Sequence, residues 1–297
     1  MLSFAHTISS AIPPQWQVTL LVVAVGLAVV AVIYLTHALW ARRFRQPFHE
    51  KILRPPGWGC LVRRQKAIID VFETILLLGV IGVSLLAHFW LVHPSSTILI
   101  TAISSIASLY LVRRLYLKIR RAQCELMGFL GECATAEALN SLPGDQWSVF
   151  HDVPMSKGSK QFNIDHVAVG PAGVFAIETK AFSKPRKMAP GGNTMRVEGE
   201  SATMPDGRRS HPLKQARSQS AHLRDWLRSK GIAIDYVNPV VVFPGWIVSY
   251  LKDASQSIRD PRNLAAWLEE MDAVSVPRTS LITAALEKHC RELEFYD

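Results

Sequence analysis

The stretch that decides the fold reads NIDHVAVGPAGVFAIETK and spans residues 163–180. Two segments of alternating apolar residues flank the tetrapeptide at 170–173, which has the proline and glycine placement of a β-turn. This pattern predicts an antiparallel hairpin. If the first and last residues of the turn lie opposite each other, Asp165 lies opposite Glu178. Such cross-strand partners have their Cβ atoms about 5 Å apart on one face of the sheet.

The same register brings two carboxylates and an amine together. Lys180 lies two residues after Glu178, so it is expected on the same face. Two carboxylates this close repel each other unless a cation lies between them, and divalent cations such as Mg²⁺ prefer oxygen ligands. The hairpin therefore predicts the acid–acid–lysine site of a metal-dependent phosphodiesterase. The alternative is that these residues are ordinary solvated charges at strand ends, which are common on protein surfaces.

The net charge of +9 and the pI near 9.6 suggest nucleic-acid binding, but the charge excess lies outside the part that contains the hairpin. Residues 1–127 hold 13 Lys and Arg against 4 Asp and Glu, whereas residues 128–297 hold 20 of each kind. A local basic stretch remains, because residues 157–217 hold 11 basic and 5 acidic side chains. This stretch is compatible with a polyanionic substrate, and a solvated basic loop is the alternative.

The basic excess accompanies three long apolar runs, at 18–40, 74–92 and 96–112. The first has no formal charge and is long enough to cross a bilayer, and the other two form a pair around a short break. A single buried helical core is the alternative. We therefore predict about three membrane spans within residues 1–123. The first run has no basic residue before it and no evident cleavage site, so a removed signal peptide is not expected.

Lysine and arginine are distributed asymmetrically around these runs, which predicts their orientation. The loop 41–66 holds eight Lys and Arg and five more lie in 113–121, whereas residues 1–17 and 93–95 hold none. We therefore expect a multi-pass protein of the inner (cytoplasmic) membrane, with its N-terminus outside and its C-terminal domain in the cytoplasm. The lipid bilayer is then one partner of the chain. The four cysteines lack metal-ligand spacing and are expected to be reduced thiols.

The second half of the chain alternates helical and strand patterns, which is typical of a mixed α/β domain. Helices are expected at 126–142, 212–227, 263–271 and 279–293. Strands are expected at 147–153, 194–198 and 237–243, in addition to the hairpin.

Several short motifs in this half resemble the nuclease-related domain (NERD) family. They are Gly131-Glu132 in a helix, Ile164-Asp165-His166, Glu178-Thr179-Lys180, Pro212-x-x-Gln215 and Val240-Val241-Val242-Phe243. The resemblance covers about residues 128–245. This family is grouped with the PD-(D/E)xK nuclease superfamily, which implies a restriction-endonuclease-like mixed sheet flanked by helices. The implied activity is metal-dependent hydrolysis of phosphodiester bonds in DNA or RNA. Ile164 replaces the proline of the superfamily's name, a change that the superfamily tolerates.

The resemblance also implies roles for individual residues. Asp165 and Glu178 would hold Mg²⁺, with Mn²⁺ as a substitute and the carbonyl of Thr179 as a third ligand. Lys180 would orient or deprotonate the attacking water and offset charge in the transition state. Glu132 and Gln215 would be accessory catalytic residues, and each has a plain alternative as an exposed helix residue. Candidates for phosphate contacts, with solvated loops as their alternative, are Lys157, Lys160, Lys184, Arg186 and Lys187.

These expectations divide the chain into a membrane region at 1–123, a nuclease-related domain at 124–250 and a C-terminal helical extension at 251–297. The first hypothesis is a membrane-anchored nuclease that acts on nucleic acid, DNA more than RNA, at the cytoplasmic side. The second is a non-catalytic membrane protein that uses a nuclease-like domain to bind nucleic acid or a protein partner. The presence of Asp165, Glu178 and Lys180 favours the nuclease hypothesis, because a domain that only binds has no need of two carboxylates that repel each other. A homodimer is left open.

Overall fold

The computed structural model describes residues 14–41, 52–91, 94–184, 192–273 and 279–291. These residues divide into two compact units. The first contains the described residues of Met1–His49 and Arg64–Gln123, and the second contains those of Glu50–Arg63 and Cys124–Asp297. The second unit therefore includes a short segment, 52–63, that is distant in sequence from the rest of it. The predicted boundaries of the three regions stay predictions.

Three helices form the N-terminal part of the described chain: α1 (Pro14–Ala41), α2 (Trp58–Leu91) and α3 (Pro94–Leu139). By length and composition, two of them could cross a membrane, over Trp58–Leu86 and Ile98–Leu139. Within their most apolar 18-residue stretches, only 6% and 0% of the residues are buried. In α1 the described apolar part, Ala24–Thr36, is shorter than a membrane span. Of the three predicted spans, two thus have support among the described residues.

The third helix is longer than the sequence pattern suggested. We predicted a separate helix at 126–142, but α3 continues from the third apolar run to Leu139 without a break. No glycine or proline lies between residues 113 and 127, so nothing in the sequence interrupts the helix. Its 46 residues extend about 70 Å, more than twice the thickness of a bilayer core. The helix is therefore too long to lie wholly within a bilayer core.

Two mixed sheets follow in the second unit. The larger has the order β1-β2-β3-β7-β9, with β1 (Ser148–Lys157), β2 (Lys160–Gly170), β3 (Gly173–Thr179), β7 (Asn238–Val242) and β9 (Ile258–Arg259). The smaller has the order β6-β5-β4-β8, with β4 (Thr194–Glu198), β5 (Ser201–Thr203), β6 (Arg209–Ser210) and β8 (Ile247–Tyr250). The flanking helices are α4 (Leu213–Ser229), α5 (Leu264–Glu270) and α6 (Thr279–Arg291). The predicted class, a mixed α/β fold with flanking helices, is confirmed.

Helices cover both faces of the larger sheet. On one face, Leu223 of α4 and Leu286 of α6 belong to the same buried cluster as Val167 of β2. On the other face, Leu139 of α3 and Leu268 of α5 pack in a cluster with strand residues. Strand β3 is buried along almost its whole length. Coverage of both faces explains why its sequence is a nearly continuous apolar run.

The hairpin has the predicted register. The residues that flank the turn pair as Gly170 with Gly173, and the ladder continues until His166 pairs with Ile177. Gly173 has a φ of +121°, a backbone conformation that favours glycine. A Cβ atom on Gly170 would collide with the ring of Trp147, so this position needs glycine for packing. The register thus places Asp165 and Glu178 immediately after the last paired residues.

His166 faces a second histidine across the β1–β2 ladder. Its Nδ1 atom lies 2.8 Å from Nδ1 of His151, and His166 is fully buried. Because one ring nitrogen must donate and the other accept, the contact requires at least one neutral ring. Burial lowers the pKa of His151 to about 4, and burial together with His151 lowers the pKa of His166 well below its usual range.

This pair predicts loss of stability in acid. Since the folded pKa of His151 is below its unfolded value, the unfolded state binds more protons between about pH 6.5 and pH 4. The folded state therefore has its full stability above this pH range, where His151 is neutral in both states, and its free energy of unfolding declines as the pH falls. At pH 5 the expected loss from this residue is about 2 kcal/mol, or roughly 4–8 °C in melting temperature. Melting curves of the full chain at pH 7.5 and 5 should show this difference, and a His151→Gln variant with the same pH dependence would contradict it.

Candidate active site

The two predicted carboxylates lie where the β2–β3 hairpin opens. The Oδ2 atom of Asp165 accepts a hydrogen bond from the backbone N–H of Thr179 at 2.7 Å. This bond takes the place of the next ladder contact, because pairing ends at His166 and Ile177. Glu178 is 4% exposed. The hairpin therefore holds both acids at one end of the larger sheet.

Lys180 and Gln219 hold the carboxylate of Glu178, and Gln215 holds Lys180. The Nζ atom of Lys180 donates to Oε1 of Glu178 at 2.5 Å and to Oε1 of Gln215 at 2.8 Å. The Nε2 atom of Gln219 donates to Oε2 of Glu178 at 2.6 Å. The two glutamines are four residues apart on α4 and so share one face of that helix. Gln215 was predicted at the site, whereas Gln219 was missed. Its position one helical turn after Gln215, on the same face of the helix, could have indicated that it also reaches the site.

Helix α3 brings Glu132 to the same region. Glu132 is 7% exposed, and its Oε1 atom accepts a hydrogen bond from the thiol of Cys60 at 3.2 Å. The neighbouring Gly131 packs against the chain that follows β3, where an added Cβ atom would lie 2.6 Å from Cβ of Ala181. The absence of a side chain at Gly131 thus allows α3 to approach the end of β3 closely.

The three carboxylates form one electrostatic cluster. Burial, then the charges of Glu178 and Glu132, raise the pKa of Asp165 well above its usual range, and the N–H of Thr179 and Lys180 partly oppose this rise. Burial is also the largest reason why the pKa of Glu132 rises to about 7. Crowded acids of this kind are relieved either by protonation or by a bound cation.

The donor set is compatible with Mg²⁺, although it is not a preassembled cage. In the described parts of the chain, no group of three or more His, Cys, Asp or Glu side chains could hold a metal ion. The Oε2 atom of Glu132 is buried and has no hydrogen-bond partner among the described residues. Since Mg²⁺ takes only one or two carboxylates and keeps several waters, Asp165 and Glu178 are sufficient protein ligands in principle.

Two cavities adjoin the helix that carries Gln215. One, of about 570 Å³, is also lined by Lys180, Phe182, His211 and Lys214. The other, of about 530 Å³, is also lined by Lys157, Lys160, Phe162 and His222. Both cavities include Gln215 and Ser218 in their linings.

The predicted phosphate-binding lysines are therefore only partly brought together. Lys157 and Lys160 line one of these cavities. The amine of Lys184 instead lies 5.7 Å from the centre of the Trp246 ring. Arg186 and Lys187 lie outside the described residues. Lys214 lines the cavity beside Lys180 and was not predicted.

The fold and the site together are those of a nuclease-like α/β domain, with a mixed sheet, flanking helices and an acid–acid–lysine group at a hairpin end. A family model described as "Nuclease-related domain" (NERD) matches residues 127–244. This match agrees with the predicted extent of 128–245 and includes every predicted catalytic residue. The resemblance to the NERD family is thus confirmed for this part of the chain. Searches of curated proteins and of solved structures give no match.

Proposed function

We propose that the chain is a membrane-anchored, metal-dependent nuclease that hydrolyses phosphodiester bonds of DNA or RNA. The observation that carries this proposal is the cluster of Asp165, Glu178 and Lys180 at the open end of the hairpin. The cluster lies inside the segment that matches the nuclease-related domain. A metal-dependent nuclease of this kind uses carboxylates to hold the metal and a positive charge near the reacting phosphate, and this end of the sheet supplies both.

Each residue of the site has a chemical task in this proposal. Asp165 and Glu178 would hold Mg²⁺ or Mn²⁺, which supplies Lewis-acid polarisation of a phosphoryl oxygen and a more acidic water. Gln219 holds one oxygen of Glu178 in place. Lys180 would orient the attacking water and place positive charge beside the phosphate as negative charge develops. Gln215 positions the amine of Lys180 through its side-chain carbonyl.

The surroundings of the site support a polyanionic substrate. Lys180 and Lys214 line one cavity, and Lys157 and Lys160 line the other. Lysines on both sides of Gln215 can contact successive phosphates of a nucleic-acid backbone. DNA is the expected substrate and RNA is the alternative. The phosphate contacts proposed here serve either one, because both have a phosphodiester backbone.

Membrane anchoring rests on the helices of the first unit. Two described helices could cross a bilayer, and basic residues concentrate in residues 42–66 and after residue 112. We propose that the nuclease-related domain lies on the cytoplasmic side. An N-terminus outside follows only if the apolar run 18–40 also crosses the membrane, as a third span. A reporter fused after Asp297 should be active in the cytoplasm, and activity only outside it would overturn this orientation.

The function is tested with the full chain in lipid nanodiscs. Fluorescent single- and double-stranded DNA and RNA are incubated with Mg²⁺, Mn²⁺ or EDTA. Cleavage is expected with either metal and should stop in EDTA. Cleavage that continues in EDTA would exclude the metal-dependent mechanism. Binding of nucleic acid without cleavage under every condition would instead support the non-catalytic alternative.

A further inference from the structure

The segment 52–63 is bound to the nuclease-related domain through Asp152. This residue is 3% exposed and has a φ of +48°. Its Oδ2 atom accepts a hydrogen bond from Nη1 of Arg54 at 2.8 Å. Its Oδ1 atom accepts from the backbone N–H of Gly59 at 3.1 Å and from the side chain of Asn163 at 2.8 Å. Strands β1 and β2 therefore hold the segment with a buried carboxylate.

Glycines on both sides make this contact unusually close. A Cβ atom on Gly57 would lie 2.6 Å from the Phe129 ring, and one on Gly59 would lie 2.9 Å from Oδ1 of Asp152. On the opposite side, a Cβ atom on Gly128 would lie 2.9 Å from Sγ of Cys60. Real Cβ contacts are almost never this short, so close packing of the segment against the domain requires glycine at all three positions.

The segment also contacts the carboxylate of Glu132, through Cys60. The thiol of Cys60 donates to Oε1 of Glu132 at 3.2 Å and accepts from Nη2 of Arg63 at 3.1 Å. Because Arg63 can only donate, it orients the thiol so that its proton points away from the guanidinium. Arg63 is itself held by Glu125 at 2.9 Å. The nearby backbone N–H of Gly57 partly opposes the rise in the pKa of Glu132.

The two oxygens of Glu132 are therefore in different situations. Oε1 has a partner from the segment, whereas Oε2 is buried and lacks a hydrogen-bond partner among the described residues. A buried acceptor without a partner has an energetic cost. A bound metal ion, or a water on that ion, would remove this cost at Oε2 while leaving the Cys60 contact intact.

We propose that Cys60 is a positioning residue, which holds Glu132 by Oε1 and leaves Oε2 available to the metal site. This inference rests on the proposed nuclease function. It adds that the first turn of α2, which carries Cys60 72 positions before Glu132, is part of the site. A domain cut out at residue 124 would then lack an element that its own Glu132 needs.

A simple packing role for Cys60 predicts a different result. A thiol that only fills space would affect metal binding equally whether or not Glu132 is present. A positioning residue would affect metal binding only through Glu132. The two roles are separated by a double-mutant cycle, which measures the coupling of two side chains.

The experiment measures Mn²⁺ affinity of the full chain in nanodiscs by electron paramagnetic resonance. We expect Cys60→Ala to weaken Mn²⁺ binding about tenfold, since losing a hydrogen-bond partner in the surroundings of a metal site typically has this effect. Cys60→Ser keeps a hydrogen-bond donor and should restore most of the affinity. Cys124→Ser, which replaces an exposed thiol, is the matched control and should bind like the wild type.

The same replacement is then made in a Glu132→Ala background, where Cys60→Ala should cause no further loss. Wild-type affinity in Cys60→Ala, or an equal loss in both backgrounds, would overturn the positioning role and leave the nuclease proposal intact. Absence of Mn²⁺ binding in the wild type would overturn the metal-dependent function, and the inference with it. Melting curves of each variant show whether the protein is folded.

Discussion

Replacing Lys180 with alanine is expected to lower the Mg²⁺-dependent cleavage rate by about 10²–10³-fold. The amine contacts Glu178 and Gln215 and lines the larger of the two cavities. At this position it can offset negative charge that develops in the transition state, and removal of one such group typically has an effect of this size. Mn²⁺ affinity should not fall, because the replacement removes a positive charge beside the metal site. Single-turnover cleavage measures the rate directly.

Two further variants make this test specific. Lys180→Arg keeps the charge but changes its geometry, and its rate should lie between those of the wild type and Lys180→Ala. Lys252→Ala removes an exposed lysine from outside the site and should leave the rate unchanged. A Lys180→Ala protein that cleaves as fast as the wild type would remove this residue from the mechanism.

Replacing Asp152 with alanine is expected to reduce the free energy of unfolding by about 3 kcal/mol. The replacement leaves Arg54, the N–H of Gly59 and the side chain of Asn163 without their buried acceptor. Breaking a buried ion pair by removing one partner typically costs this much. A melting temperature lower by roughly 6–12 °C follows for a unit of this size. Tryptophan fluorescence of the full chain during heating would show the shift.

The control for this experiment is an acid in a solvent-exposed pair. Asp206 pairs with Arg208 at 2.6 Å, and its side chain is 38% exposed. Asp206→Ala should melt at close to the wild-type temperature, as is usual when an exposed ion pair is removed. If Asp152→Ala melts at the same temperature as Asp206→Ala, then the segment 52–63 is not held by Asp152.

The hairpin could be predicted because its signals are local. The turn at 170–173 and the alternation around it fix the register, and the register alone brings Asp165 near Glu178. Lys180 follows from its spacing. Gln215 was predicted only through the family resemblance, and α4 indeed brings it to Lys180.

Other parts of the site depend on contacts between distant residues and leave no local pattern. Cys60 and Glu132 are 72 positions apart, and nothing in the sequence around Cys60 indicates that it contacts an acid. The smaller sheet was predicted only in part, because β5 and β6 are too short to show alternation. Lys184 lies in a basic stretch, yet its contact is with Trp246. Composition alone could not show which basic residues line the cavities and which contact an aromatic ring.

The central claim is that the hairpin carboxylates make this chain a metal-dependent nuclease. The most direct test compares Mg²⁺-dependent cleavage by the wild type and by Asp165→Asn, which keeps the shape of the side chain and removes its charge. We expect cleavage by the wild type and a rate at least about 10³-fold lower in the variant, corresponding to several kcal/mol of lost transition-state stabilisation. Equal rates in the two proteins would contradict it.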